Sequence, residues 1–156
     1  MKIRKFKLSD SREVGKIIAK TFKKYNKSEG SKKAVESYVN IYNTSNLDKL
    51  KSNFRKSDIF YLMEDKRKVI GMIRGNKNRM GNLYVFGKYH NKGIGKKLVE
   101  RFEKEAKKQS SKFIKIKASL YAIPFYKKLG YKKTTGIKKI KFLFNLKYQP
   151  MIKILK

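Results

Sequence analysis

The sequence contains no cysteine, no tryptophan and one histidine, and its 43 Lys and Arg residues are set against only 11 Asp and Glu. Without cysteine there is no disulfide, no thiolate metal site and no cysteine nucleophile. A single histidine, His90, cannot build a multi-histidine metal centre, and no acidic cluster stands in for one. No apolar run approaches the roughly 18 residues that a membrane-spanning helix requires. The opening MKIRKFKLSD alternates, where a secretory signal would present an apolar stretch and a small-residue cleavage site. These absences predict a cytoplasmic protein with no membrane partner and no metal.

What is present describes an ordered chain. Its 156 residues, 40% hydrophobic and 13% aromatic, suffice for one ordinary core, so one domain over residues 1–156 is expected. The net charge of +32 is spread along the whole length, and no acidic residue follows Glu105. Such a surface attracts polyanions non-specifically. Lys dominates over Arg, and Lys lacks the planar fork that grips phosphate bidentately. The charge therefore reads first as a solvated surface. A nucleic-acid partner stays open as an alternative, although no helix-turn-helix, zinc-finger or RRM signature supports it.

Hydrophobic spacing divides the chain. Ile3, Phe6 and Leu8 alternate in a first strand. Ser9 or Asp10 can cap the helix that follows, whose stripe is Val14, Ile17, Ile18, Phe22 and Tyr25. After a polar break at 26–31, Val35, Tyr38, Val39 and Tyr42 mark a second helix. Ser45 reads as the cap of a short third helix carrying Leu47, Leu50 and Phe54. Three strands at 59–63, 69–74 and 81–86 have hairpin spacing. A helix after Gly95 carries Leu98, Val99, Phe102 and Ala106, followed by a strand at 113–118 and a short helix at 121–129 that Gly130 stops. At least two more strands fit the tail. The fold class is α/β, with a mixed, mostly antiparallel sheet flanked by helices.

The strongest local feature is HNKGIGKKLVERFEKEAKK, residues 90–108. Gly93 and Gly95 stand between a strand and a long amphipathic helix. Glycine allows a tight turn and close approach of a ligand to the backbone, and the free amides at a helix start favour an anion. Lys92, Lys96 and Lys97 add positive charge. The spacing does not fit a nucleotide-binding P-loop, and Leu98 occupies the third glycine position of a dinucleotide fingerprint.

This strand, loop and helix resemble the acyl-coenzyme A site of the GNAT superfamily of N-acetyltransferases, whose loop reads Arg or Gln, two variable residues, Gly, one variable residue, then Gly or Ala. Gly93 and Gly95 match, and His90 departs at the first position. Downstream, ASLYAIPFYKKLGY (residues 118–131) resembles the family's second motif, with Ala122, Phe125, Tyr126, Lys128, Leu129, Gly130 and Tyr131 in register and Ser119 where Asn is frequent. The resemblance is strong from about residue 59 to 135.

It implies a splayed pair of parallel strands at 81–87 and 113–119 holding acetyl-coenzyme A. The pantetheine arm would follow Leu83, Tyr84 and Val85. The phosphates would meet Asn91, Lys92, Gly93, Ile94, Gly95 and Lys96, with Ser119, Phe125 and Tyr126 on the opposite side. It also implies direct attack by an amine of a small-molecule or protein acceptor, amides near Val85 and Phe86 facing the oxyanion, and Tyr126 protonating the departing thiolate. The general base is less defined. The central strand, GNLYVFGKY, has no carboxylate, so Glu64 and Asp65 in the neighbouring hairpin are the acidic candidates. The region from Asp10 to Asp58, which covers the acceptor site in the family, holds six of the 11 acidic residues: Asp10, Glu13, Glu29, Glu36, Asp48 and Asp58. Homodimers are common in the family. A member that binds acyl-coenzyme A without transferring the acyl group is a second alternative.

Overall fold

The computed structural model describes residues 1–156, from a short first strand, β1 (Lys2–Lys5), through three helices: α1 (Ser11–Tyr25), α2 (Lys32–Ile41) and α3 (Leu47–Phe54). The expected stripe holds: Val14, Ile17, Ile18 and Phe22 of α1 are all buried. Ser31 caps α2, its hydroxyl accepting from the Ala34 amide at 3.1 Å. Two other caps differ from expectation. Asn46, not Ser45, caps α3, with Oδ1 3.1 Å from the Lys49 amide. Only the residue directly before the helix reaches that amide. Neither Ser9 nor Asp10 caps α1 through its side chain, because the chain first turns through Leu8–Asp10 and the Asp10 carboxylate is drawn back to the Lys7 amide and Arg4.

A meander follows, β2 (Ile59–Asp65), β3 (Lys68–Asn76) and β4 (Arg79–Val85). The β2–β3 turn is two residues long, and Lys66 and Arg67 both take positive φ (48° and 66°), which matches the twist of a tight hairpin. Nearly all of β2 is buried because both its faces are covered. Phe60 and Leu62 pack with α1 and α3 residues such as Ile17, Ile18 and Phe54. Ile59, Tyr61 and Met63 pack with Leu98, Val99 and Phe102 of the next helix, α4 (Ile94–Lys108). That is why the strand reads as a continuous apolar run.

The remaining elements are β5 (Phe113–Ala118), α5 (Ile123–Lys128), β6 (Lys132–Lys133), β7 (Lys138–Ile140) and β8 (Leu146–Ile154). The sheet runs β1-β2-β3-β4-β5-β8-β6, with β7 also on β8. Every pairing is antiparallel except β4 with β5. The mixed, mostly antiparallel class is as the sequence predicts. No helix is long and apolar enough to cross a membrane.

Arg4 ties β1 to its surroundings. Its Nε donates to Glu64 at 2.7 Å, and both terminal nitrogens donate to Asp10 at 2.9 Å. Burial would raise the Asp10 carboxyl, but its bonds to Arg4 and the Lys7 amide outweigh this and hold it below its ordinary value. Glu64 is lowered chiefly by Arg4. Carboxyls lowered in the folded state contribute stability that is present above their unfolded values, about pH 4, and lost as pH falls through the folded ones. Arg4→Met is therefore expected to melt at lower temperature than the wild type at neutral pH, with the difference closing on acidification. Melting curves recorded from about pH 7 down to about pH 3 check this.

Candidate functional site

The parallel strands β4 and β5 pair only at Arg79 with Lys115 and Met80 with Ile116. Beyond Met80 they diverge, and β5 continues its ladder with β8 on its other edge. Phe86 donates its amide to the Ile70 carbonyl on β3 at 2.9 Å. By the alternation of an antiparallel ladder, Leu83 and Val85 then turn their amides away from β3 and into the gap. The gap is a cleft of about 710 Å³. Leu83, Tyr84 and Val85 line one side, Ser119, Phe125 and Tyr126 the other, and Asn91, Gly93, Ile94, Gly95 and Lys96 close one end.

Backbone geometry shapes that end. Asn91 (φ 61°) and Gly93 (φ 77°) are both left-handed, which turns the chain sharply into α4. The helix begins at Ile94, two residues earlier than predicted, so Gly95 lies within its first turn. The first intrahelical bond runs from the Lys97 amide to the Gly93 carbonyl at 3.1 Å. The amides of Ile94, Gly95 and Lys96 are left for an outside acceptor. A side chain on Gly95 would meet the Phe125 ring at 3.1 Å, so this glycine is what lets α5 approach α4.

His90 braces the loop: its Nε2 donates to the Val85 carbonyl at 2.6 Å, and its ring packs on Tyr25 at 4.8 Å between centroids. Tyr25 packs in turn on Tyr121 at 5.2 Å, and its hydroxyl lies directly against Gly87, where any Cβ would overlap it. Lys96 lines the cleft, whereas Lys92 lies outside it above the Tyr89 ring.

Tyr126 is buried, with rings of Phe125 and Tyr131 edge-on at 5.1 and 5.6 Å. Burial pushes its phenol up, so it stays protonated at neutral pH. Its hydroxyl has only the Met80 sulfur, 4.0 Å away, as a partner. A donor parked on a thioether, a weak acceptor, can be claimed by a better one in the cleft.

The structure does not bring Glu64 to this site. It lies at the β1 edge of the sheet, bonded to Arg4 and near Lys2. Asp65 accepts a long bond, 3.4 Å, from the Tyr89 hydroxyl. Nor is the Phe86 amide available to an oxyanion, since it is spent on Ile70. Of the expected donor pair only the Val85 amide faces the gap.

Two groups of residues near the cleft escaped sequence reasoning. The first is a polar chain behind Tyr84. Arg74 Nε and the Tyr42 hydroxyl donate to Asn82 Oδ1 at 2.6 and 3.3 Å, which leaves Asn82 Nδ2 to donate to the Tyr38 hydroxyl at 3.1 Å. The Tyr38 and Tyr84 hydroxyls then share a hydrogen bond of 2.8 Å, which carries the chain to the cleft wall. Burial pushes both phenols up. Arg74 is buried without a carboxylate, held by Asn53 and Ser57 and by the Phe54 ring at 4.9 Å. The second group is Thr21, Asn26 and Glu29, at the end of α1 and in the turn after it. An alternating strand could have suggested Asn82 as inward-facing, but nothing in the sequence sets the turn's orientation.

Comparison with known proteins agrees with this geometry. Residues 23–155 match the family model described as "Acetyltransferase (GNAT) domain". No curated protein matches the chain. Solved structures do match in fold. A GCN5-related N-acetyltransferase from Rhodopseudomonas palustris superposes with a TM-score of 0.87 at 18% identity, over 99% of this chain and 95% of its own. The PaiA N-acetyltransferase from Thermoplasma acidophilum, solved with coenzyme A, gives 0.76 at 22% identity over 99% and 98%. Ard1 from Thermoplasma volcanium gives 0.70 at 16% identity over 99% and 97%. With a family model covering all but its first residues and its last one, and with the splayed strands and glycine loop in place, the chain belongs to the GNAT acetyltransferases.

Proposed function

We propose that this protein transfers the acetyl group of acetyl-coenzyme A directly to a primary amine. The observation that carries this reading is the opening between β4 and β5, where unpaired amides, an anion-ready glycine loop and a hydroxyl without an oxygen partner border one cleft. The free edge of Leu83–Val85 suits the amide-bearing pantetheine arm, which would extend the sheet as a partial strand. The amides of residues 94–96 suit the pyrophosphate, with Asn91, Gly93 and Lys96 beside it. The PaiA structure, which has coenzyme A bound, shares this fold.

In this reading the amine nitrogen attacks the thioester carbonyl carbon. Holding the two reactants in one cleft supplies much of the rate. The Val85 amide faces the developing oxyanion. When the C–S bond breaks, the sulfur takes the Tyr126 proton, and the proton released by the amine nitrogen passes through solvent to restore the Tyr126 phenol. No acyl-enzyme is required.

The test follows the acetyl group. The protein is incubated with acetyl-coenzyme A labelled in the acetyl carbon and with mixed primary amines. Labelled amide and free thiol are expected in equal amounts. Cofactor binding is titrated by calorimetry at moderate and high salt, because a protein of +32 attracts any polyanion. Saturable binding that survives salt, without transfer to any amine, makes the chain a non-catalytic acyl-coenzyme A binder. Binding that never saturates and vanishes in salt removes the cofactor site, and nucleic acid becomes the ligand to test.

A further inference from the structure

The α1 side of the cleft holds two buried polar atoms without a partner, Thr21 Oγ1 and Asn26 Nδ2, and behind them a buried carboxylate without a counter-ion. Glu29 is 1% exposed and is the sole carboxylate among the buried residues. It forms no ion pair, in a chain with 43 Lys and Arg. Its Oε1 accepts from the Tyr121 amide at 3.4 Å, a long bond. Burial pushes its carboxyl up, and Asn26, the amides of Leu120 and Tyr121, and Ser119 oppose this in part.

Asn26 and Thr21, 3% and 7% exposed, line the cleft beside it. Asn26 lies close enough to favour the charge on Glu29, yet its Nδ2 has no partner in hydrogen-bonding geometry, and neither has Thr21 Oγ1. Buried polar groups are almost always paired, and a buried charge without a counter-ion is costly. Two unpaired groups on the cleft wall, Thr21 and Asn26, with the buried carboxylate of Glu29 directly behind them, have the character of a ligand seat.

We propose that Glu29, with Asn26 and Thr21, forms the acceptor seat, which draws in the amine as its ammonium ion, a proton leaving to solvent before the nitrogen attacks, and makes the enzyme select cationic acceptors. This rests on the acetyl-transfer reading above. A cation reaching the cleft meets a surface of net +32. Glu29 supplies the local negative charge that offsets that repulsion, and its low-dielectric setting strengthens the pairing. Tyr25 and Tyr121 add aromatic faces, which suit an ammonium rather than an anion. The competing account is purely structural: Glu29 ties the α1–α2 turn to the segment that leads into α5.

The substitution Glu29→Gln separates the two accounts. Glutamine keeps an oxygen for the Tyr121 amide and loses only the charge. The full chain is loaded with coenzyme A and titrated with 1,4-diaminobutane, 2-aminoethanol and n-butylamine, with n-butanol as the neutral probe, by NMR. The wild type is expected to bind the amines and not the alcohol. In Glu29→Gln amine affinity is expected to fall about tenfold or more, a change of about 1.4 kcal/mol, with affinity for acetyl-coenzyme A unchanged. Should Glu29→Gln not fold, Asn26→Lys, which sets a fixed ammonium beside Glu29, is expected to abolish amine binding and keep cofactor binding. Amine affinity equal to wild type in either folded variant overturns the proposal in favour of the structural tie. So does a cofactor-loaded wild type that binds no amine, which leaves the cofactor site standing. A wild type that fails to bind acetyl-coenzyme A overturns instead the function on which the proposal rests.

Discussion

Gly95→Glu is expected to weaken acetyl-coenzyme A binding by about 100-fold or more, equivalent to about 2.7 kcal/mol. Two effects act together. A Cβ at this position lies 3.1 Å from the Phe125 ring, so the longer side chain must push α5 away from α4 or project into the cleft. The carboxylate would also stand in the first turn of α4, where the free amides of residues 94–96 are proposed to hold the pyrophosphate, and repel it. Calorimetric titration at high salt measures the loss without interference from the basic surface. Gly136→Glu is the control. It adds the same charge at a position where a Cβ would meet no atom within 4 Å, and binding should be retained. Equal losses in both variants would assign the effect to net charge and sink the pyrophosphate assignment.

Tyr126→Phe is expected to lower kcat by about 100-fold to 10,000-fold, with cofactor affinity unchanged. Phenylalanine fills the same space between Phe125 and Tyr131, and the lost hydroxyl gives up only its distant contact with the Met80 sulfur. The fold should be indifferent. Without that proton the departing sulfur must leave as a thiolate. Steady-state kinetics with a reactive amine, beside a binding titration, check the prediction. An unchanged kcat would return Tyr126 to the core as one more packed ring.

The stripes on α1 and α4 were legible because a helix repeats its buried face every three or four residues, and Val14, Ile17, Ile18, Leu98, Val99 and Phe102 keep that spacing. The two motifs were also legible, and the fold brings them together at Gly95 and Phe125. What the sequence could not convey was pairing across distance. The β4–β5 register joins residues 36 positions apart, and nothing local marks where it stops. Glu64 was drawn to the site by chain proximity, whereas the antiparallel register sets it opposite Lys2, at the far edge of the sheet. Glu29 is named with five other acidic residues of the helical region but is not singled out from them, because a lone carboxylate in a polar turn has no periodicity. Only the folded chain shows it buried beside Ser119–Tyr121, some 92 residues away in sequence. Ser45 failed as a cap for the opposite reason, a shift of one residue that pattern alone does not resolve.

Two rungs of ladder join the two halves of the sheet. A co-substrate lying along Leu83–Val85 would supply the rungs that are missing, and a ligand that binds only the folded state deepens that state in proportion to its supply. A chain supplied with that co-substrate would unfold at a higher temperature than the same chain alone.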